Sequence, residues 1–419
     1  MSATRVRPEP ALVAAPQSLP RLLAGLPPGD RPVTLDEHLA RYGSVRDGGK
    51  SRSLIDLVEA SGLQGRGGAA FPTATKLRAV AGRRGRPVVV VNGTEGEPAS
   101  GKDKVLLRCV PHLVLDGAVA AAEAVGAREA FVAVADGATA ESAAVAEAID
   151  SRRRRKLDGR VTLRLVDVPD RFVAGEETAL VQFLNGGPAA KPTFTPPRPF
   201  ERGVGGAPTL VQNAETLAHV AQIARFGPSW FRKVGTASEP GSILVTLSGA
   251  VARPGVYEVA LGSPLRDLLA QAGGVREDVQ AYLVGGYFGT WVHADRATAL
   301  RLSEAEVSLG ARAIVALPAR TCGLAETARI ARYLSDEGAG QCGPCVHGLG
   351  AIADALERLA AGDRTDRRDR IERWVAAVRG RGACHHPDGA SRFAASALEV
   401  FADEVELHLR HGRCSGSRR

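Results

Sequence analysis

The 419-residue chain reads as an α/β protein that ends in a helical region. Three observations predict this class. Through the first half, β-branched runs alternate with small-residue helical segments, the pattern of a sheet wrapped by helices. From Gly241 the character changes to two alternating strands joined through Arg253-Pro254. Beyond Pro318 apolar residues recur at helical spacing, which predicts a small antiparallel bundle.

The elements follow in order. Residues 1 to about 33 contain Pro8, Pro10, Pro16 and Pro20 and show no periodicity, so residues 1–49 are expected to form a loose extension. Leu54, Ile55, Val58 and Leu63 are spaced for a short helix, and Pro72-Thr73 opens another. Pro87–Val91 is a short β-branched run that fits a buried strand and delivers Asn92–Pro98 at its end. Ala118–Val125 is predicted helical; Ala130–Val134 and Val161–Val168 are predicted strands. Ser242–Leu247 and Gly255–Val259 read as a strand pair. Pro264–Ala272 reads as a helix stopped by Gly273-Gly274. Ala281–Gly286 and Ala313–Leu317 are further strands. Leu349, Ile352, Leu356 and Leu359 share one helix face, and Leu398, Phe401, Val405 and Leu409 nearly do. The expected domains are 50–235, 240–318 and 319–410, with a tail at 411–419.

Composition narrows the function. No apolar run approaches the roughly 20 residues that span a bilayer, and no signal peptide is read, so a cytoplasmic location is expected. Net charge is +8, but basic residues are spread out and not interleaved with aromatics, which argues against nucleic acid. The densest block, Arg152–Lys156, fits a solvated helix end better than a docking patch for an acidic electron carrier. Six cysteines in a chain of this length do not suggest a disulfide framework. Cys342, Cys345 and Cys384, set among Gly, Pro and His, look like metal ligands instead.

Gly65-Arg66-Gly67-Gly68-Ala69-Ala70-Phe71-Pro72-Thr73-Ala74-Thr75-Lys76 leaves the backbone almost bare. Such a loop lets a phosphate or flavin ring approach, with the following helix start and Lys76 adding positive charge. A plain glycine-rich turn explains the same residues about as well. Cys342-Gly343-Pro344-Cys345 alone fits an iron–sulfur ligand pair, a zinc half-site or a redox dithiol equally.

Four further segments occur in order with these: Val91-Asn92-Gly93-Thr94-Glu95-Gly96-Glu97-Pro98, Ala174-Gly175-Glu176-Glu177-Thr178-Ala179-Leu180, Gln212-Asn213-Ala214-Glu215-Thr216 and the cysteine pair. Over roughly residues 50 to 410 the set resembles the flavin-carrying, NADH-binding subunit of respiratory complex I and related diaphorases of hydrogenases and formate dehydrogenases. The resemblance implies a Rossmann-like FMN/NADH domain, a β-grasp (soluble-ligand-binding) domain and an iron–sulfur helical bundle.

It implies that Gly65, Arg66, Gly67, Gly68, Lys76, Asn92, Thr94, Gly175, Gln212 and Asn213 surround FMN. It implies that Glu95, Glu97, Glu176 and Glu177 line the nicotinamide and ribose pocket, with Glu97 and Glu177 favouring NADH over NADPH. Phe71, Lys191 and Phe194 are implied to hold the dinucleotide, although counting back from Gln212 puts Thr195-Pro196-Pro197-Arg198 in that register. The family aspartate is Thr94 here, and a family aromatic after Lys76 is absent.

The implied cluster ligands are Cys342, Cys345 and Cys384, but the family's further cysteine is replaced by Ala339. Cys322 is the first candidate to complete a 4Fe-4S cluster, followed by His347, His385 and His386. A 3Fe-4S cluster or none are the other outcomes. The implied activity is hydride transfer from NADH to FMN, then single electrons through the cluster to a small iron–sulfur protein or redox-complex subunit. No direct membrane insertion is implied, and the chain could lie peripheral to a membrane redox complex. Two alternatives remain: a cluster-free flavin diaphorase, and a degenerate non-redox interaction subunit.

Overall fold

The structure, a computed structural model, describes residues 17–27, 29, 31–45, 53–188, 191–193, 196–363 and 368–414. Its first half contains α1 (Leu35–Tyr42), α2 (Leu54–Ser61), α3 (Thr73–Ala81), β1 (Val88–Gly93), α4 (Lys102–Cys109), α5 (Pro111–Val125), β2 (Glu129–Ala135), α6 (Thr139–Arg154), β3 (Thr162–Val168), α7 (Glu177–Leu184), β4 (Thr209–Asn213) and α8 (Ala214–Phe231). The four strands form one parallel sheet in the order β3-β2-β1-β4. Val88 to Val91 are all buried, as a strand covered on both faces requires.

Helix α5 is apolar on nearly every side and lies inside the domain. It crosses α8 backbone to backbone: a Cβ at Gly117 would lie 1.9 Å from the Leu217 carbonyl oxygen. Asp116 beside it is a buried carboxylate. Burial alone would raise its pKa, but Arg225, His38 and Arg152 surround it and hold it well below the usual carboxylate range. Arg152 Nη1 lies 2.8 Å and His38 Nε2 2.7 Å from its oxygens. One charge therefore ties α1, α5, α6 and α8 together.

The second sheet comprises β5 (Ser242–Gly249), β6 (Gly255–Ala260), β7 (Val279–Val284), β8 (Thr290–His293) and β9 (Ala313–Pro318), with α9 (Leu265–Gln271) and α10 (Ala294–Ala297). Its order is β6-β5-β9-β7-β8; β5 and β9 run parallel and the other pairs antiparallel. The bundle follows with α11 (Gly323–Asp336), α12 (Leu349–Ala360), α13 (Arg368–Val378), α14 (His386–Val400) and α15 (Ala402–His411). Leu349, Ile352, Leu356 and Leu359 are all buried, as the spacing predicted. Among the described residues no single helix is long and apolar enough to cross a membrane.

Three expectations need correction. Residues 17–45, where described, are not loose. Arg21 and Leu22 are buried, and Glu258 on β6 accepts hydrogen bonds from the amides of both at 2.7 Å. Leu398, Phe401, Val405 and Leu409 do not share one helix, because the chain breaks at Phe401 between α14 and α15. The predicted tail is packed as far as Cys414, which is 3% exposed. In each case a long-range contact decides, and local periodicity is silent on it.

The Asp116 network gives a direct test. Asp116→Asn leaves Arg152 and Arg225 buried without their counter-charge, a loss on the order of 3–5 kcal/mol. Urea denaturation followed by far-UV circular dichroism should show a lower midpoint for this variant. A midpoint equal to that of the parent would show that the network contributes nothing net.

Candidate functional site

The carboxyl ends of β1 and β4 lie side by side, with Asn92 paired to Asn213 and Val91 to Gln212. Ligands of open α/β sheets bind at this kind of strand end. Asn213 caps α8: its Oδ1 accepts from the Glu215 amide at 3.0 Å, and its Nδ2 donates to Asp103 at 2.6 Å. Asn92 Nδ2 donates to the Gly175 carbonyl at 2.7 Å, while Thr94 Oγ1 donates to Asn92 Oδ1 at 2.8 Å. The segment 172–175 is thereby drawn over the strand ends. A Cβ at Gly175 would come within 2.9 Å of Thr94 Oγ1, so the close approach needs glycine.

The glycine-rich loop packs against the same place. Gly68 has a φ of +104° and so occupies backbone space that a side chain disfavours. A Cβ at Gly67 would sit 3.2 Å from Asn213 Cβ. The loop carbonyls face a cation: Arg312 donates to the Arg66 oxygen and, at 3.2 Å, to the Gly65 oxygen. The Arg66 amide donates to Thr216 Oγ1 at 2.8 Å. The amides of Gly67 and Gly68 take no protein hydrogen bond among the described residues. Gln212 Nε2 is buried and likewise without a partner. Arg66 itself is buried, and burial, followed by Arg312, lowers its pKa to about 9.

The carboxylates have separate tasks. Burial, followed by Asp103, pushes Glu95 up to about 7, against the pull of Lys102. Glu95 accepts from Ser100 and from the amides of Asp103 and Lys104 at 3.2 and 2.9 Å, so it caps α4. Glu97 is 8% exposed and burial raises it to about 7. It accepts from the Ala99 amide at 3.0 Å and from the Tyr287 amide of the second sheet at 2.9 Å. Glu176 caps α7 through the amides of Thr178 and Ala179 at 2.8 and 3.0 Å. Glu177 pairs with Lys76 at 2.6 Å, each about one-third exposed. Phe71 is 47% exposed, Lys191 is exposed, and Phe194 lies outside the described residues.

The three cysteines are neighbours at one end of the bundle, although their sulfurs do not all lie within 4.8 Å of one another. Burial first, then Cys342 and Cys384, push the Cys345 thiol up to about 12. The Cys384 thiol is raised by burial, with Glu176, Cys342 and Asp388 adding to the effect. Glu337 links this end to the strand-end site: it accepts from the Phe172 amide at 2.8 Å and pairs with Arg171 at 3.0 Å. The rings of Phe172, Phe288 and His386 pack edge to face between them, at 4.7 to 5.6 Å. The Gly338–Ala339 segment passes beside the thiols, since a Cβ at Gly338 would sit 3.5 Å from Cys345 Sγ.

Cys322 is not part of this group. It caps the start of α11, whereas the Cys342–Cys345 turn follows the end of that helix. At 1.5 Å per residue, α11 separates them by about 20 Å. The sequence placed Cys322 one helix upstream, and that helix points it away. His347 and His385 are exposed near the cysteines, while His386 Nε2 donates to the Leu334 carbonyl at 2.7 Å.

Sequence reasoning missed Arg312, Lys102 and Asp103. Lys102 is 3% exposed; it pairs with Asp103 at 2.8 Å and with the buried Glu215 at 3.0 Å. Its proximity to the Glu95–Glu97 segment was a usable signal. Arg312, in Gly310-Ala311-Arg312-Ala313, had none.

Comparison with known proteins gives matches throughout this architecture. Residues 58–222 match the "Nuo51 FMN-binding domain" family model, and residues 244–286 match the "SLBB domain". Residues 325–408 match the "NADH-ubiquinone oxidoreductase-F iron-sulfur binding region". An NADH-quinone oxidoreductase F subunit of Rhizobium meliloti is 31% identical over 378 residues, covering 86% of this chain and 90% of the relative. The NADH-quinone oxidoreductase F subunit of Mycobacterium bovis is 33% identical over 388 residues, covering 86% and 85%. The crystal structure of an NAD+-reducing [NiFe]-hydrogenase in the air-oxidized state superposes with a TM-score of 0.81 at 32% identity. That match covers 90% of this chain and 65% of the hydrogenase chain. The H2-reduced state gives 0.79, with 85% and 62% covered. Domain matches, identity and superposition agree along the chain, which therefore belongs to the family of NADH-quinone oxidoreductase F subunits.

Proposed function

We propose that this chain is an NADH-oxidising redox subunit that holds FMN at the ends of β1 and β4 and an iron–sulfur cluster at the cysteine end of the bundle. The observation that supports this best is the set of unused donors. The Gly67 and Gly68 amides and the buried Gln212 Nε2 have no protein partner among the described residues, at the place where α/β sheets take ligands. The cysteine donor set also fits a cluster, because three thiols share one neighbourhood. When bound, FMN supplies hydride acceptance and the cluster supplies one-electron transfer.

The residues act by position and charge. The Gly67 and Gly68 amides and Lys76 would hold the flavin nucleotide, whose phosphate suits a helix start and a cation. Phe71 offers an open aromatic face to a dinucleotide base. Glu177 carries the negative charge that disfavours a 2′-phosphate. Glu97, with a pKa near neutrality, adds only part of a charge and also couples the nicotinamide side to the second sheet through Tyr287. Glu337 keeps the Gly175–Glu177 loop beside the cysteines. A soluble redox partner, within a larger complex peripheral to a membrane, receives the electrons. The working divisions of the chain are 50–235, 240–318 and 319–410.

Anaerobic purification with flavin, iron and sulfide analysis, followed by stopped-flow mixing with NADH, tests the whole reading. Bound FMN bleached by NADH, with iron and sulfide present, is the expected result. Protein that takes up neither flavin nor iron would refute it. Gly67→Val should abolish flavin retention while leaving the cluster in place; stoichiometric FMN in that variant would remove the loop from the site.

Glu97 gives a pH signature. Its pKa in the folded chain, near 7, lies above the ordinary carboxyl value of 4.5. Its stabilising contribution is therefore full below about 4.5 and lost as pH rises through 7. The thermal midpoint of the parent should fall relative to Glu97→Gln across that window and run parallel to it above. A constant difference throughout would mean that the carboxyl titrates normally.

Ala339→Cys should complete the thiolate set. The expected outcome is slower cluster loss in air, by about tenfold or more. Electron paramagnetic resonance of the reduced protein over time is the measurement. Unchanged decay would show that residue 339 cannot reach the cluster.

A further inference from the structure

The end of the bundle opposite the three cysteines holds a second group of soft ligands. Cys322 Sγ, a ring nitrogen of His408 and Cys414 Sγ all lie within 4.8 Å of one another. Cys322 Sγ is 3.5 Å from His408 Nε2 and 3.4 Å from Glu404 Oε2. His408 and Cys414 are each 3% exposed. The four residues come from three places: the start of α11, the inward face of α15, and the turn after Gly412. Glu404 and His408 are one helical turn apart on α15.

Zinc bonds of about 2.3 Å to sulfur and about 2.0 Å to nitrogen, at a tetrahedral angle, put sulfur and nitrogen about 3.5 Å apart. The Cys322–His408 separation has that length before any metal is considered. We propose that Cys322, His408 and Cys414 bind a zinc-class divalent cation, with Glu404 the nearest group to the fourth corner. This site is separate from Cys342, Cys345 and Cys384, from which the length of α11 divides it.

Burial raises the pKa of Cys322 and of Glu404, while the start of α11 supplies backbone donors that work the other way. Cys322 already accepts from the Ala325 amide at 3.4 Å, and Glu404 Oε2 accepts from the Gly323 amide at 2.8 Å. A helix N-terminus stabilises thiolate and carboxylate alike. Metal entry displaces the two thiol protons to solvent and leaves the imidazole neutral, so no oxidant or reductant is needed. The site also has structural work to do. On α15 only Val405 and His408 are buried, which is little apolar surface to hold a terminal helix. A cation bridging Cys322 to His408 and Cys414 fastens that helix to α11.

The experiment uses the full chain, purified anaerobically and incubated with zinc chloride, then dialysed and analysed by elemental mass spectrometry. The iron–sulfur cysteines can also capture zinc, so variants separate the two sites. Cys322→Ser and Cys414→Ser should each lose about one zinc per chain relative to the parent. Cys342→Ser should retain that zinc. In the parent, zinc should protect the half-buried Cys322 from alkylation, as read by peptide mass spectrometry, and a chelator should expose it. The protection assay does not depend on whether a variant folds. Zinc lost in Cys342→Ser but kept in Cys322→Ser would overturn the proposal. So would alkylation of Cys322 that zinc leaves unchanged. A Cys322–Cys414 disulfide in the freshly prepared anaerobic protein would likewise overturn it.

Discussion

The capture of the glycine-rich loop by Arg312 is the interaction on which the site depends. The guanidinium is buried in the second sheet's β8–β9 connection, yet it bonds carbonyl oxygens of Gly65 and Arg66 in the first domain. A guanidinium presents several donors in a rigid fork, so one side chain can fix two consecutive carbonyls. With those oxygens committed, the next two amides are left over. Beside it Lys102, Asp103 and Glu215 form a buried charge cluster, and such a cluster is tolerated only when its members pair with one another. Glu215 also accepts from the Leu244 amide at 2.9 Å, which seats β5 against α8.

The second sheet is therefore more than a spacer. It supplies Arg312 to the loop, the Tyr287 amide to Glu97 and the Thr246 hydroxyl to the Gly101 amide at 3.0 Å. These bonds make it an interface that shapes the nucleotide side. Glu97 illustrates the consequence. A carboxylate assigned only to a ligand pocket should be exposed and strongly acidic; this one is enclosed at a domain junction and held near neutrality.

The bundle carries cysteine chemistry at both ends, and the length of α11 keeps the two ends apart. At one end Glu337 and the rings of Phe172, Phe288 and His386 join the thiols to the loop over the strand ends. At the other end Cys322 joins Glu404, His408 and Cys414, where helix α15 has little apolar surface of its own. Helix direction alone assigns Cys322 to the second group.

The sequence by itself determined the elements and the order of the motifs. β1, β2 and β3, the strand pair β5–β6 and helix α12 are legible because burial on fixed faces imposes a local period on the residues. The family resemblance was legible because its motifs are contiguous, and fold class, flavin and iron–sulfur regions follow from it. Tertiary structure decided the rest. Arg312, Lys102 and the seat of Arg21–Leu22 on Glu258 are contacts between distant segments, and a charged residue bound for the interior carries no local mark of it. Cys322 shows the same limit: linear distance from Cys342 suggested a shared cluster, and a straight helix between them forbids it. Period and motif are properties of neighbours in the chain; which buried charges and thiols meet is fixed only when the layers pack.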